Sequence, residues 1–234
     1  MLEIKEPVSR EEWLKARTRL LEKEKEFTRA RDRLSAERRA LPWVRVDQPY
    51  VFRGPNGEVT LSELFSGRSQ LVVYHFMFQP DWDAGCKSCS FWADNFERIV
   101  LHLAQRDVTL LAVSRAPLAK LTAFAKRLGW SFPWVSSLGS SFNQDFGVSF
   151  TPEQVATGEV HYNYRASRAW GEEMPGISVF AKAEDGSVFH TYSTYARGLD
   201  MLNVAYHYLD LVPKGRDEAD GPMKWLRLRD AYGS

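Results

Sequence analysis

The sequence predicts an α/β fold, a mixed sheet sandwiched by helices and preceded by a long helical arm. Three patterns predict it. Residues 71–78 and 108–113 are continuous apolar runs, the mark of strands buried on both faces. Each run is followed by apolar residues at helical spacing, which implies a parallel core with crossover helices. Near the end, apolar segments at 177–182 and 187–192 flank Asp185-Gly186, which reads as a hairpin adding antiparallel strands.

The elements follow in order. Residues 9–40 form one uninterrupted helix, opened by the capping box Ser9-Arg10-Glu11-Glu12 and closed before Pro42. Trp13, Leu20, Phe27, Leu34 and Leu41 recur every seven residues, a narrow apolar seam suited to lying on another surface, either the body of its own chain or a second subunit. A homo-oligomer through this helix is therefore expected. The segment carries +4 and the remainder −3; with no accompanying aromatic or glycine-rich binding motif, the charge reads as a solvated helix face. Residues 50–60 predict a hairpin turning at Asn56-Gly57, residues 61–65 a helical turn, and residues 91–105 a helix carried by Phe91, Trp92, Phe96, Ile99, Val100 and Leu103. Pro117 and Gly129 bracket a helix, 140–146 is a shorter one, and 199–209 closes the fold. The expected domains are an arm at 1–42, a body at 43–212 with a polar, aromatic insertion at about 148–174, and a tail at 213–234.

Composition narrows the function. A chain of 234 residues, 44% hydrophobic and 13% aromatic, has enough apolar material for a core, which excludes wholesale disorder. A net charge of +1 gives no global pull toward nucleic acid or an anionic membrane. The longest apolar run, eight residues, is far short of the roughly 20 a membrane helix needs. The first residues contain no apolar signal region, so a cytoplasmic location is expected. Two cysteines exclude a multi-bridge disulfide scaffold.

Both cysteines lie in one motif, Cys86-Lys87-Ser88-Cys89, between a buried strand and an amphipathic helix. At a helix start, free N–H groups favour a thiolate. Cys86 is thus the expected nucleophile, forming a mixed disulfide with a disulfide-containing protein or a small thiol substrate, and Cys89, one turn on, the resolving thiol. Lys87 adds positive charge between them.

Here the sequence resembles the thioredoxin superfamily over about residues 43–210. The carrying features are the strand at 71–78 leading through Trp82-Asp83-Ala84-Gly85 into the cysteine pair, Met174-Pro175-Gly176-Ile177 resembling a cis-proline loop, and the final hairpin and helix. More closely, the whole chain is similar to the family called domain of unknown function 899, in its Glu-Trp-Leu start, its charged helix, Tyr74-His75-Phe76-Met77-Phe78 and Gly85-Cys86-Lys87-Ser88-Cys89-Ser90. That resemblance implies a thioredoxin-like fold and a dithiol–disulfide oxidoreductase needing no cofactor. It implies that Pro175 faces the thiols in the cis form. It aligns His75 roughly with the superfamily's buried acid, as a relay for the proton of Cys89. Trp82, Lys87 and Gly176 are the candidates for substrate contact. The sequence departs from thioredoxin in having Gly85, not Trp, before the first cysteine, and Lys87-Ser88 between the two.

The cysteines alone also fit two inert structural thiols in a non-catalytic binding protein. A peroxiredoxin-like peroxidase would have a Thr three residues before the reactive cysteine, where this chain has Asp83, with Arg115 or Arg168 as cation. A metal site would need further ligands; no second CxxC exists, and His75, His102, His161, His190 and His207 are scattered.

Overall fold

The computed structural model describes residues 4–233. The chain divides into two compact units, with the boundary after Pro42.

The first unit is helix α1, Arg10–Arg39. Its N-terminus is the expected capping box: Glu12 N–H donates to the Ser9 hydroxyl, and Ser9 N–H donates to the Glu12 carboxylate. The helix buries none of its residues, and all five members of the heptad seam are exposed. Its outer faces carry ion pairs such as Lys15–Glu11 and Arg17–Glu24. Such exposed pairs add little stability.

The second unit is built on an eight-stranded mixed sheet. Strands β4 (Gln70–His75), β5 (Val108–Ser114) and β6 (Trp134–Ser136) are parallel neighbours. Beside β4 runs β9 (Gly176–Lys182), antiparallel, then β10 (Val188–Tyr195) and the two-residue β1 (Val44–Arg45). Beside β6 lies the hairpin β2 (Val51–Gly54) and β3 (Gly57–Thr60). The full order is β1-β10-β9-β4-β5-β6-β2-β3, and β7 (Val160–Tyr162) and β8 (Arg165–Ser167) form a separate antiparallel pair. Helices α2 (Lys87–Ala93), α3 (Phe96–Ala104) and α4 (Leu118–Leu128) join the parallel strands; α5 (Phe142–Asp145), α6 (Pro152–Thr157) and α7 (Val204–Leu209) follow β6. This is the mixed α/β sheet with helices that the sequence predicts, together with its long N-terminal helix.

Strand alternation divides the core in two. Tyr74, Leu110, Ala112 and Trp134 pack on one face with Cys89, Trp92, Phe96 and Phe124. Leu71, Val73, Leu111, Val113 and Val135 pack on the other with Phe52, Phe65, Phe142 and Phe180. Helix α4 ends at Gly129, whose φ of 66° places it in the left-handed region that suits glycine at a helix end.

Three expectations are corrected. The single helix at 91–105 is two helices, broken at Asp94-Asn95. Asn95 Nδ2 donates to the carbonyls of Phe91 and Trp92, while Asp94 accepts from the Trp130 indole. Such side-chain bonds compete with helix continuation. The closing helix is likewise split, into a 3₁₀ segment, Ala196–Leu202, and α7, which Asn203 caps by accepting from Tyr206 N–H. In the first hairpin Gly54 pairs with Gly57, so the turn residues are Pro55 and Asn56. Strands β1 and β6 have no counterpart in the sequence reading; at two and three residues they are too short to show alternation.

Candidate active site

The cysteine pair sits where β4 gives way to α2. Backbone bonds fold the connecting loop back on the strand end: Cys86 N–H donates to Met77 C=O at 3.1 Å, and Ala116 N–H donates to Phe78 C=O at 2.8 Å. Lys120 Nζ donates to the carbonyls of Pro80 and Trp82, at 2.7 and 2.9 Å, fixing the loop to α4. Gly85 is buried. A Cβ there would stand 2.7 Å from the Phe76 ring and 2.9 Å from that of Phe124, so the residue before Cys86 has no room for a side chain. The departure from Trp at that position is thus a matter of packing.

Cys86 caps α2 and is half-buried; Cys89, in the first turn, is 1% exposed. Both are free thiols. Their acidities are pushed apart. The Cys86 thiol is lowered to about 7, chiefly by a hydrogen bond from Cys89, with smaller contributions from the backbone N–H groups of Cys89 and Ser88 and the Ser88 hydroxyl, against a cost of burial. The Cys89 thiol is pushed well up, first by burial and then by the neighbouring Cys86. Lys87 is exposed and is not among the groups that lower Cys86; hydrogen-bond donors at the helix start do that work instead.

One phenol that adjoins this pair is that of Tyr74. Its side chain is 1% exposed, its hydroxyl bonds with Cys89, and burial together with the cysteines raises its pKa. Met77 N–H donates to Cys89 Sγ at 3.4 Å. Sequence reasoning missed Tyr74. The available signal was parity: Tyr74 and His75 adjoin on one strand and must face opposite ways, so only one can meet the thiols.

His75 is the one that faces away. It packs against Phe142 and Phe146, with ring centroids 5.5 and 6.1 Å apart, and bonds through Nε2 to Ser178 Oγ at 2.9 Å. Burial, with some contribution from His190, lowers its pKa to about 3. The expected relay from His75 to Cys89 is therefore corrected: the sheet lies between them, and the imidazole stays neutral at ordinary pH.

Pro175 borders the same cavity as Cys89, as expected, but its peptide bond is trans, since no cis bond occurs among the described residues. Trans is the commoner form of an X-Pro bond in folded chains. The loop is fixed from both sides. Tyr162 O–H donates to Pro175 C=O at 2.7 Å, and Met174 N–H donates to Val148 C=O at 2.9 Å. Buried Glu173 accepts from Arg115 and from Ser149. Gly176 packs beneath Tyr195, where a Cβ would come within 2.7 Å of the ring; its smallness serves packing. Trp82 is half-buried against the first core and does not line the cavity. The insertion does border the site, through Tyr162 and through Trp170 at the cavity.

That cavity measures 680 Å³, and Tyr74, Met77, Cys89 and Trp92 line it on the sheet side, Tyr206 and Met223 on the tail side. No cluster of three metal-ligating side chains occurs among the described residues, and no helix among them is long and apolar enough to cross a membrane.

The chain matches the model of the family described as bacterial protein of unknown function (DUF899) over residues 3–232, and it belongs to that family. No curated protein matches it. Among solved structures, it is similar to the Xanthomonas campestris bacterioferritin comigratory protein, in a study of its alkyl peroxide reduction activity, with 14% identity and a TM-score of 0.47, covering 70% of this chain and 96% of that one. It is also similar to peroxidoxin BcpB from Mycobacterium tuberculosis, with 15% identity, a TM-score of 0.46 and coverage of 69% and 93%. A putative thioredoxin from Neisseria meningitidis matches at 11% identity, a TM-score of 0.38 and coverage of 70% and 89%.

Proposed function

We propose that this member of the DUF899 family is a thiol–disulfide oxidoreductase working through one dithiol cycle. The observation that carries the reading is the placement of two free thiols on one helix start, Cys86 at the N-cap of α2 and partly buried, Cys89 one turn in and buried, which pushes their acidities in opposite directions.

The cycle follows from that difference. Near neutral pH Cys86 is the thiolate, held by the S–H of Cys89 and the donors of Ser88. Its sulfur attacks one sulfur of a substrate disulfide; the substrate S–S bond breaks, a mixed disulfide forms and one thiolate leaves. Cys86 then carries no charge. Of the influences that hold the Cys89 proton in place, those from Cys86 are gone and burial remains. The Cys89 proton passes to the departing thiolate. Tyr74 O–H and Met77 N–H stabilise the Cys89 sulfur as it becomes negative. Attack on Cys86 closes the Cys86–Cys89 disulfide and releases the second half as a thiolate, which takes a proton from water, so two electrons pass from protein to substrate. An external dithiol restores the reduced pair.

The test is reduction of a protein disulfide with dithiothreitol as the regenerating dithiol. Cys86→Ser is expected to abolish it, while Cys89→Ser accumulates a mixed disulfide at Cys86 visible by mass spectrometry. Full reduction by Cys86→Ser overturns the assignment.

The exposed seam of α1 is the surface to which we assign self-association. Phe27→Glu with Leu34→Glu is expected to lower the mass measured by light scattering; an unchanged mass counts against it.

A further inference from the structure

The cavity behind the thiols is larger than the dithiol cycle requires. Its 680 Å³ lies within the range of small-molecule sites, about 300–1,000 Å³. Its sheet side is apolar, formed by Met77, Trp92 and the ring of Tyr74, with Cys89 Sγ among them. Its lining also includes Pro222 and Met223 of the C-terminal tail.

The tail is fastened in place. Arg216 bonds to Asp200 and Asp210, at 2.8–2.9 Å, and lies 3.8 Å from the Tyr206 ring centroid. Glu218 accepts from Tyr206 O–H, Met223 N–H and the Trp225 indole, at 2.9–3.0 Å. Trp225 packs edge-on to Phe91 of α2, and Leu226 is buried. The tail is thus a built wall of the cavity.

The charged residues that line the cavity are paired with one another. Arg197 pairs with Asp200, and Arg216 with Asp200 and Asp210; Glu218 is occupied by three donors. Among the described residues, each arginine lining the cavity is paired with a carboxylate. What remains for recognition is apolar and aromatic surface ending at a sulfur.

We propose that this cavity binds the apolar, uncharged organic group of a small disulfide substrate, an aryl or alkyl disulfide in place of a charged one. The proposal rests on the thiol–disulfide reading and names its substrate class. With the group seated against Trp92 and Tyr206, the substrate S–S bond lies at the Cys89 end, where Cys86 is the adjoining thiol. Cys86 sulfur bonds to the nearer substrate sulfur, the substrate S–S bond breaks, and the far half leaves as a thiolate that takes the Cys89 proton. Cys89 then displaces the bound half as a thiolate, which takes a proton from water, leaving a Cys86–Cys89 disulfide and two substrate thiols.

Binding and redox chemistry are tested apart. Full-length Cys86→Ser/Cys89→Ser protein is titrated with diphenyl sulfide, an unreactive isostere, and followed by the fluorescence of Trp92 and Trp170. Saturable binding is expected, weakened about tenfold by Met223→Trp and also, more modestly, by Trp170→Ala, a change at an exposed residue. Thermal melts show that each variant is folded. With reactive protein, diphenyl disulfide is expected to be reduced at least about tenfold faster than glutathione disulfide. Absence of saturable diphenyl sulfide binding, while protein disulfides are still reduced, overturns the cavity proposal and leaves the dithiol cycle standing. Binding of diphenyl sulfide with no disulfide reduced by the reactive protein supports the cavity and defeats the dithiol cycle.

Discussion

The two faces of the central sheet each carry a buried polar chain. On one, Tyr74 meets Cys89, which lines a cavity and meets the partly buried Cys86. On the other, His75 bonds to Ser178, Ser178 to Ser193 and Ser193 to His190, at 2.7–2.9 Å, among Phe142, Phe146 and Phe180. Both chains contain groups whose acidity burial has shifted. Only the first includes free thiols and borders a cavity. Perturbed acidity alone does not mark a reactive site; it must coincide with access.

The comparison can be broken most decisively at Cys86. Cys86→Ser removes the accessible sulfur, and disulfide reduction is expected to vanish while the fold persists. The next largest effect is on stability. Gly85→Ala drives a methyl into the rings of Phe76 and Phe124 and is expected to cost about 1–3 kcal/mol in denaturant unfolding. An unchanged midpoint would show that the loop yields freely.

Smaller effects separate Tyr74 from His75. Tyr74→Phe keeps the ring and removes the hydroxyl that bonds Cys89. It is expected to slow resolution of a preformed mixed disulfide by about tenfold, the usual scale for loss of one hydrogen bond to a charged group, while initial attack by Cys86 stays unchanged. Equal slowing of both steps would place Tyr74 in a merely structural role. His75→Gln is expected to leave both rates within about twofold, because the ring lies across the sheet from the sulfurs and its Nδ1 has no partner. A large loss of resolution in that variant would restore the relay that its placement argues against.

Much of this arrangement was legible in residue order. The strand at β4, the cysteine pair after it, the capping box of α1 and Gly129 at the end of α4 are local patterns with local causes. The face occupied by His75 was not legible, because β4 is apolar on both sides and its sequence carries no alternation to orient it. The break at Asp94-Asn95 depends on Trp130 and Val204, distant in the chain. The cavity depends on a tail held by Glu218 and Arg216, pairings that no spacing announces. Gly85 is intermediate: its glycine was noticed, but the two rings that require it come from different elements.

The central claim is that Cys86 is activated and Cys89 is withheld. It is tested most directly by the rate of iodoacetamide alkylation as a function of pH, with the modified residue identified by mass spectrometry. Because the folded Cys86 thiol is lowered to about 7 from an ordinary value near 8.5, reaction should rise with pH through about 7 and fall away below it as the sulfur is protonated. Cys89 should remain unmodified throughout that range. An inflection near about 8.5, or first modification at Cys89, would contradict the account.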